Sequence, residues 1–186
     1  ADNHSLTAFR RLAERFHLQA SPVSCPSVSK AVEAIGGEAD AALFPVETST
    51  RAAMHDAHDP VGMARRGLRY CAEVVVNAAE DVHIRYIAAA RRDQPLVQPS
   101  RTSILVELAK DAPGALYRML APFAIRKINL TRIASTPSRR VLGEYYFQLD
   151  FMGSRLDSRV MGAIADAERA GRVWIMGSYP TDTPSA

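Results

Sequence analysis

The sequence predicts an α/β protein made of two small units, an amino-terminal lobe of helices and strands followed by a βαββαβ unit. Three observations support this. The chain has 186 residues, of which 47% are hydrophobic, enough to bury two cores. Hydrophobic residues recur at helical spacing in some segments and at strand spacing in others. A segment with two prolines and no periodicity, between Arg91 and Arg101, separates the two patterns.

The amino-terminal lobe is predicted to alternate helices with strands. Its first helix carries Leu6, Phe9 and Phe16 on one side and arginines on the other. Gly36-Gly37 ends the second helix, and a hydrophobic run then suits a strand buried on both faces. The signals weaken between 55 and 67, where a loop and a short helical turn are expected. The predicted elements are a helix over 5–16, a strand over 21–25, a helix over 27–35, and strands over 41–46, 70–76 and 82–89.

The second half has a cleaner pattern of strands and helices. Hydrophobic residues alternate over its strands, as in Ile104, Val106 and Leu108, and recur at i, i+3, i+4 and i+7 over its first helix. The predicted elements are a strand over 103–108, a helix over 116–123, a strand over 128–135, a hairpin-like connection over 137–143, a strand over 144–151, a helix over 156–170 capped by Gly171, and a strand over 173–176. This order is that of a ferredoxin-like unit. We therefore divide the chain into a lobe (1–92), a linker (93–100), a second domain (101–180) and a tail (181–186).

Composition argues against several classes of function. The 23 Lys and Arg barely exceed the 20 Asp and Glu and form no stripe, so we expect no nucleic-acid partner. No hydrophobic run approaches the roughly 20 residues that span a bilayer, and no leader is visible, so we expect a cytoplasmic protein without a membrane partner. Cys25 and Cys71 lack metal-ligand spacing, and His55 and His58 fall in a loop-like context, so no metal site is predicted.

Four segments of the second domain resemble, in order and spacing, the ACT domain of prephenate dehydratases. They are Asp-Ala-Pro-Gly-Ala-Leu (111–116), Ile-Asn-Leu-Thr-Arg-Ile (128–133), Ser-Thr-Pro (135–137) and Gly-Ser-Tyr-Pro (177–180). In that family a Gly-Ala-Leu loop and a Glu-Ser-Arg-Pro segment line a phenylalanine site between two subunits. The resemblance implies a homodimer or higher homo-oligomer through this domain. The effector-binding residues that it implies are Gly114, Ala115, Leu116, Asn129, Leu130, Ser135, Thr136 and Pro137.

A physical reason for such a site can be stated from two residues. Gly114 allows a close backbone approach, and at a helix start it offers unpaired N–H groups to a carboxylate. Asn129 could bind an amino-acid head group, although both residues also suit ordinary turns. Where the family has Glu-Ser-Arg-Pro, this chain has Ala134-Ser135-Thr136-Pro137, so a carboxylate and a guanidinium are absent together. The fold should tolerate this loss, and the ligand could be phenylalanine, another aromatic amino acid, or none.

The lobe resembles the first lobe of the dehydratase catalytic domain. Pro-Val-Glu-Thr-Ser-Thr (45–50) is similar to the family's Pro-Val-Glu-Asn-Ser-Thr, and His-Ser-Leu-Thr (4–7) resembles its Gly-Ser-x-Ser turn. The family's second lobe carries a Thr-Arg-Phe strand whose threonine is central to catalysis. The nearest counterpart is Ile84-Arg85-Tyr86, in which isoleucine can donate no proton, and we interpret this similarity as accidental.

Dehydration of prephenate expels carbon dioxide and hydroxide together, so it requires assistance to the leaving hydroxyl and groups that hold two carboxylates. The resemblance implies a lyase without a cofactor. Its catalytic candidates are Glu47, Thr48, Ser49 and Thr50, and its substrate-binding candidates are Ser5, Thr7 and Arg51. Each of these residue types is also common as a helix cap. Two hypotheses remain: a shortened enzyme whose second lobe is replaced by a partner subunit, and a non-catalytic ACT module that senses an aromatic amino acid.

Overall fold

The computed structural model describes residues 3–50, 59–91, 98–109, 112–138 and 145–182. The chain forms two units: the first contains Ala1–Gln98 together with Tyr179–Ala186, and the second contains Pro99–Ser178. The closing residues, which the sequence analysis assigned to the second domain and a tail, therefore belong to the first unit. Arg51, the His55 and His58 pair, and most of the predicted linker lie outside the described residues.

The first unit has one four-stranded sheet, in the order β1-β3-β2-β8. Strand β3 is antiparallel to both β1 and β2, and the short β8 runs parallel to β2. The elements are α1 (Asn3–Phe16), α2 (Val28–Ala34), β1 (Ala41–Thr48), α3 (Pro60–Arg65), β2 (Arg69–Ala79), β3 (Val82–Ala90) and β8 (Thr181–Asp182). Strand β8, which follows the second unit in sequence, thus joins the sheet of the first unit at the edge next to β2.

The two faces of this sheet differ in character. Helix α1 packs on one face, where Ala8, Leu12 and Phe16 form a core with Val74 and Tyr86. Because side chains alternate along a strand, the residues next to Val74 and Tyr86 in sequence face the opposite side of the sheet. The residues of that opposite face include Phe44, Glu47, Glu73, Arg85 and Ile87. Among the described residues of this unit, the buried charged side chains are Glu73 and Arg85, and both lie on the face away from α1.

Two predictions for the lobe are wrong. Residues 21–25 form no strand, because Val23 is an isolated hydrophobic residue among polar neighbours and is 78% exposed. Strand β1 forms as predicted, but burial alternates along it instead of covering both faces. This alternation is typical of an antiparallel sheet, whereas the sequence analysis expected a strand buried on both faces.

The second unit has the predicted βαββαβ order, and its four-stranded sheet has the order β5-β6-β4-β7. Its elements are β4 (Arg101–Leu108), α4 (Ala115–Ile125), β5 (Leu130–Pro137), β6 (Tyr145–Met152), α5 (Ser158–Ala167) and β7 (Gly171–Tyr179). A core that includes Ile104, Phe123 and Phe151 joins the sheet to both helices. The ferredoxin-like prediction is confirmed, and the two edge strands of this described sheet are β5 and β7.

Three details of the second unit differ from the sequence analysis. Leu156 precedes α5 and is 77% exposed, because Asp157 caps the helix and excludes it from the buried stripe. Leu116, placed on the buried side of the first helix, is partly exposed at the helix start. Gly171 is the first residue of β7 and not a helix cap, since Glu168 caps α5.

Candidate functional site

A cluster of three charged side chains occupies the sheet of the first unit. Arg85 on β3 donates from Nε to Glu73 Oε2 on β2 at 2.7 Å, and its Nη1 lies 3.3 Å from Glu47 Oε2 at the end of β1. The Glu73 side chain is 1% exposed and that of Arg85 10%, whereas Glu47 is 30% exposed. The cluster therefore has a buried anchor, Glu73, and a member that reaches solvent, Glu47.

The cluster joins two segments that the sequence analysis had kept apart. Glu47 belongs to the Pro-Val-Glu-Thr-Ser-Thr segment, and Arg85 to Ile84-Arg85-Tyr86, which was interpreted as an accidental similarity. In the sheet, Glu47 pairs with Arg85 and Thr48 with Ile84. Sequence reasoning missed Arg85 and Glu73 as site residues, although one charged residue inside each hydrophobic strand was an available signal.

Ser49 has a structural role in this geometry. Its hydroxyl donates to Asp81 O at 3.1 Å and accepts from His83 N at 3.0 Å, and its own N–H donates to His83 O at 2.9 Å. These bonds tie the end of β1 to the turn between β2 and β3. The single hydroxyl proton of Ser49 is thus already donated, which is not the arrangement of a nucleophile. Thr48 and Thr50 face each other, with their hydroxyl oxygens 3.2 Å apart.

Two of the predicted substrate-binding residues lie on the other face of the sheet. The Ser5 hydroxyl is 3.4 Å from the hydroxyl of Tyr86, which belongs to the face covered by α1. Thr7 donates to Asn3 O within α1, a local helix bond. By strand alternation Glu47 is on the opposite face. Ser5 and Thr7 are therefore separated from Glu47 by the sheet.

The loop before α4 presents an open helix start. Gly114 caps the helix with φ = 78°, in the left-handed region, and a Cβ placed there would meet only the flexible side chain of Arg118, at 3.2 Å. Both Pro113 and Gly114 are exposed. The N–H of Ala115 already donates to Ala112 O at 3.0 Å, whereas the N–H groups that follow it in the first turn have no acceptor within the helix, so this end can bind an anion.

The other predicted effector residues follow α4 along the chain. Asn129 is exposed. Its carbonyl accepts the N–H of Met152 at 2.9 Å, so its backbone is held by a hydrogen bond. Leu130 packs against the core of the unit. Ser135, Thr136 and Pro137 end β5, where exposed and partly buried residues alternate as expected for an edge strand.

A buried polar group that sequence reasoning missed centres on Asp150 in the second unit. Asp150 accepts from the hydroxyl of Ser103 at 2.6 Å and from Gln148 Nε2 at 3.3 Å, and Arg132 Nη1 lies 3.9 Å from its other oxygen. Ser103 and Asp150 have no exposed surface. The signal was the alternation of Gln148 and Asp150 with the hydrophobic residues of β6.

Within the five described ranges, no group of three or more His, Cys, Asp or Glu side chains could hold a metal ion. In the same part of the chain, no helix is both long enough and hydrophobic enough to cross a bilayer.

Comparison with known proteins identifies the second unit. Residues 102–169 match the ACT domain family. The prephenate dehydratase of Mycobacterium avium is 37% identical over 150 residues, a match that covers 79% of this chain and 46% of that protein. This chain therefore spans about half the length of the curated relative.

Two solved structures share the fold. One is described as "GqqA- a novel type of quorum quenching acylases"; it has a TM-score of 0.81 and 22% identity, with 96% of this chain and 90% of that chain covered. The other is the prephenate dehydratase of Arthrobacter aurescens in complex with L-Phe, with a TM-score of 0.76, 21% identity, and 98% and 89% coverage.

The chain is thus an ACT-domain protein with mixed α/β architecture. It is homologous to the prephenate dehydratases and has diverged from them.

Proposed function

We propose that the protein is a carbon–oxygen lyase that acts on prephenate or a related cyclohexadienyl or aryl-pyruvate acid, and that its ACT domain binds an aromatic amino acid. The observation that carries the proposal is the pairing of Glu47 with Arg85, which places an acid from the dehydratase-like Pro-Val-Glu-Thr-Ser-Thr segment beside a cation on the adjacent strand. The proposal places the protein in the cytoplasm, as the sequence analysis expects.

The chemistry assigns a role to each member of the cluster. In the reaction the ring carboxylate leaves as carbon dioxide, its bonding electron pair moves into the ring, and the hydroxyl leaves as water after gaining a proton. A substrate carboxylate would compete with Glu47 for Arg85, which remains held by Glu73. Glu47, the more exposed member, would then be released from the ion pair, take a proton from solvent and donate that proton to the leaving hydroxyl.

A second copy of the chain completes the site in this proposal. Ser5 and Thr7 are on the far side of the sheet from Glu47, so within the described residues the lobe brings no hydroxyl of this pair to the charged cluster. The homodimer, formed through the ACT domain, would supply the second wall of the cleft and the groups that hold the remaining carboxylate.

The ACT domain offers the effector site at the start of α4. The open, left-handed Gly114 and the N–H groups of the first turn suit the carboxylate of an amino acid, and the exposed Asn129 suits its ammonium group. The solved relative from Arthrobacter aurescens is described with L-Phe bound. Phenylalanine, tyrosine and tryptophan are the ligands to test, because the Glu and Arg of the family's segment are absent here.

Two further functions have specific support. Isoleucine at 84 and the engaged hydroxyl of Ser49 favour a non-catalytic sensor, because neither residue provides a free proton donor in the described geometry. The fold shared with a structure described as a quorum-quenching acylase favours removal of an acyl group from an amide.

One assay series separates these functions. The purified full chain is incubated with prephenate while phenylpyruvate absorbance is followed, beside a Glu47→Gln variant and a matched Glu33→Gln control on the exposed surface of α2. We expect turnover that Glu47→Gln reduces at least 100-fold, within the roughly 10²–10⁴-fold range of general acid catalysis, while Glu33→Gln retains it. No turnover above background would remove the dehydratase proposal, and acyl release from an N-acyl substrate would replace it with the acylase.

Calorimetric titration tests the effector site separately. One of the three aromatic amino acids should give a saturable heat that Gly114→Val abolishes, because the added side chain covers the helix start and strains a left-handed backbone. Binding without turnover would establish the sensor, and silence for all three amino acids would contradict the effector site.

A further inference from the structure

An open hydrophobic groove lies along the outer side of α5 in the second unit. Its volume is about 480 Å³, and side chains from α5 and from the edge strand β7 line it. The hydrophobic lining residues are Leu156, Met161, Ile164, Ala165 and Ile175. All of them belong to the second unit, so the groove is a feature of that unit alone.

Two of the lining side chains are exposed to an unusual degree for their type. Met161 is 54% exposed and Leu156 more so, whereas the neighbouring Ile164 is buried in the core of the unit. A helix on the surface of a soluble protein normally presents a polar outer side. A continuous exposed hydrophobic surface instead marks an interaction site. The α5 groove is therefore a surface that suits a partner.

The two ends of the groove carry opposite charges. Arg155 lines the end that precedes α5, and Glu168 caps the carboxyl end of the helix. The neighbouring carboxylates of Asp157 and Asp166 are paired with arginines, at 2.9 Å and 2.6 Å, whereas the described residues offer no ion pair to Glu168. A carboxylate at this end also faces the negative end of the helix dipole. Glu168 is thus unfavourably placed in a single chain.

We propose that the α5 groove is a contact between two copies of the chain, with their α5 helices packed antiparallel across a twofold axis. A twofold axis brings the same surface of each copy together. The antiparallel arrangement places Glu168 of one copy beside Arg155 of the other. There its carboxylate meets a guanidinium and the positive end of the second helix dipole.

The same arrangement covers the exposed hydrophobic side chains. Met161 lies near the midpoint between Arg155 and Glu168 in the sequence, so the axis passes beside it and the two copies of Met161 pack together. Ala165 adds little bulk and allows the helices to approach closely. A small hydrophobic ligand would cover the groove but leave Glu168 without a cation, which favours a second copy of the chain as the occupant.

This contact goes beyond the homodimer of the proposed function. The predicted effector residues 135–137 end β5, and β5 and β7 are opposite edges of the sheet. A pair of chains joined at the effector site therefore leaves the α5 groove available. With both contacts formed, the protein is a tetramer, because two kinds of twofold contact commonly combine in this way.

Sedimentation equilibrium of the full-length protein tests the contact without substrate. The wild type is compared with Met161→Asp and with the matched control Met152→Asp, since Met152 is also an exposed methionine but lies at the end of β6. We expect Met161→Asp to halve the assembled mass and to weaken the association about 100-fold, because two carboxylates would face each other at the axis. Met152→Asp should leave both quantities unchanged.

Charge reversal tests the antiparallel arrangement itself. Glu168→Arg should weaken the association about tenfold, because each end of the contact would then bring two cations together. Arg155→Glu should act in the same direction, and the double variant Arg155→Glu/Glu168→Arg should restore the wild-type mass. A double variant that associates more weakly than either single variant would show that the two ends do not meet.

A crosslink reports the position of the axis, and it serves also where Arg155→Glu fails to fold. Cys25 and Cys71 are first replaced by serine. In that background Met161→Cys should form a disulfide-linked dimer under mild oxidation, because the two copies of this residue are adjacent, whereas Leu156→Cys should not.

A monomeric wild type, or an unchanged mass in Met161→Asp, would overturn the proposal. If the wild type binds the hydrophobic dye 8-anilinonaphthalene-1-sulfonate and Met161→Asp loses that binding without a change in mass, the groove belongs to a small hydrophobic ligand and the second copy is refuted. Turnover of prephenate plays no part in these measurements. A failure of the dehydratase proposal therefore leaves their result unaffected.

Discussion

Arg85 Nε and Glu73 Oε2 lie 2.7 Å apart on neighbouring strands, and both side chains are largely removed from water. Burial of two charges is unfavourable unless they are paired. Each of these two side chains is therefore tolerated in the interior only while the other is present. Glu47 adds a second carboxylate from the solvent side at 3.3 Å. The cluster therefore contains one cation between two anions of unequal burial.

Removal of one buried partner should destabilise the first unit strongly. We expect Arg85→Leu alone to lower the free energy of unfolding by about 3–5 kcal/mol, because the buried Glu73 charge loses its cation. Glu73→Leu alone should cost less, because Arg85 keeps its ion pair with Glu47. The double variant Glu73→Leu/Arg85→Leu should recover much of this loss. Urea unfolding followed by circular dichroism measures all three, and additive losses in the double variant would contradict the pairing.

Gly114 should resist substitution because of its backbone conformation. With φ at 78°, Gly114→Ala is expected to destabilise the ACT domain by about 1 kcal/mol, since a Cβ is unfavourable in the left-handed region. Gly37→Ala is the control, because its Cβ would make only an ordinary contact with Ala34 O, at 3.9 Å. Equal melting temperatures for the two variants would refute this reasoning.

Gly171 should be sensitive for a different reason, a close approach of two backbones. A Cβ at Gly171 would lie 2.2 Å from Glu107 O and 3.0 Å from Leu108 Cα, so Gly171→Ala must push β7 away from β4. We expect a loss of about 1–3 kcal/mol, typical of overpacking, measured by thermal unfolding. A variant as stable as the wild type would show that this edge of the sheet can shift freely.

The amino-terminal end of helix α5 should become less stable at low pH. The side-chain bond from Arg159, followed by its backbone N–H, lowers the pKa of Asp157, the N-cap residue. Because the folded pKa is below the unfolded value, the stabilisation is present above about pH 4 and is lost as pH falls through the lowered folded pKa. NMR titration of the Asp157 carboxyl should show this low pKa, and Arg159→Gln should raise it toward the ordinary value.

The second unit was largely predictable from local pattern. Alternation over β4 and β6 and the helical stripe of α4 each follow from period and turn residues, so the βαββαβ order was visible without contacts. The first unit was harder, because its antiparallel sheet depends on pairings between distant segments. The two residues of β8 have no periodicity, and only their contact with β2 defines them as a strand.

The candidate site was predicted in part. Glu47 and Gly114 were found from motifs. In the structure Glu47 forms an ion pair, and Gly114 has a left-handed backbone conformation. Arg85 and Glu73 were missed as site residues because their ion pair depends on burial and on cross-strand pairing. Neither of these can be read from the sequence alone. The Ser49 hydroxyl, in the same motif as Glu47, is engaged in holding a turn, and its catalytic assignment stays a prediction. The assignments of substrate and effector residues stay predictions.

The pairing of β8 with the first sheet has consequences for folding during synthesis and for the design of fragments. A ribosome releases the amino-terminal segments well before residues 181 and 182, so the first sheet can gain its fourth strand only after the whole ACT domain has been made. A fragment that stops at Gln98 would expose the unsatisfied edge of β2 to other chains. Formation of the first sheet therefore depends on residues that are synthesised after the ACT domain.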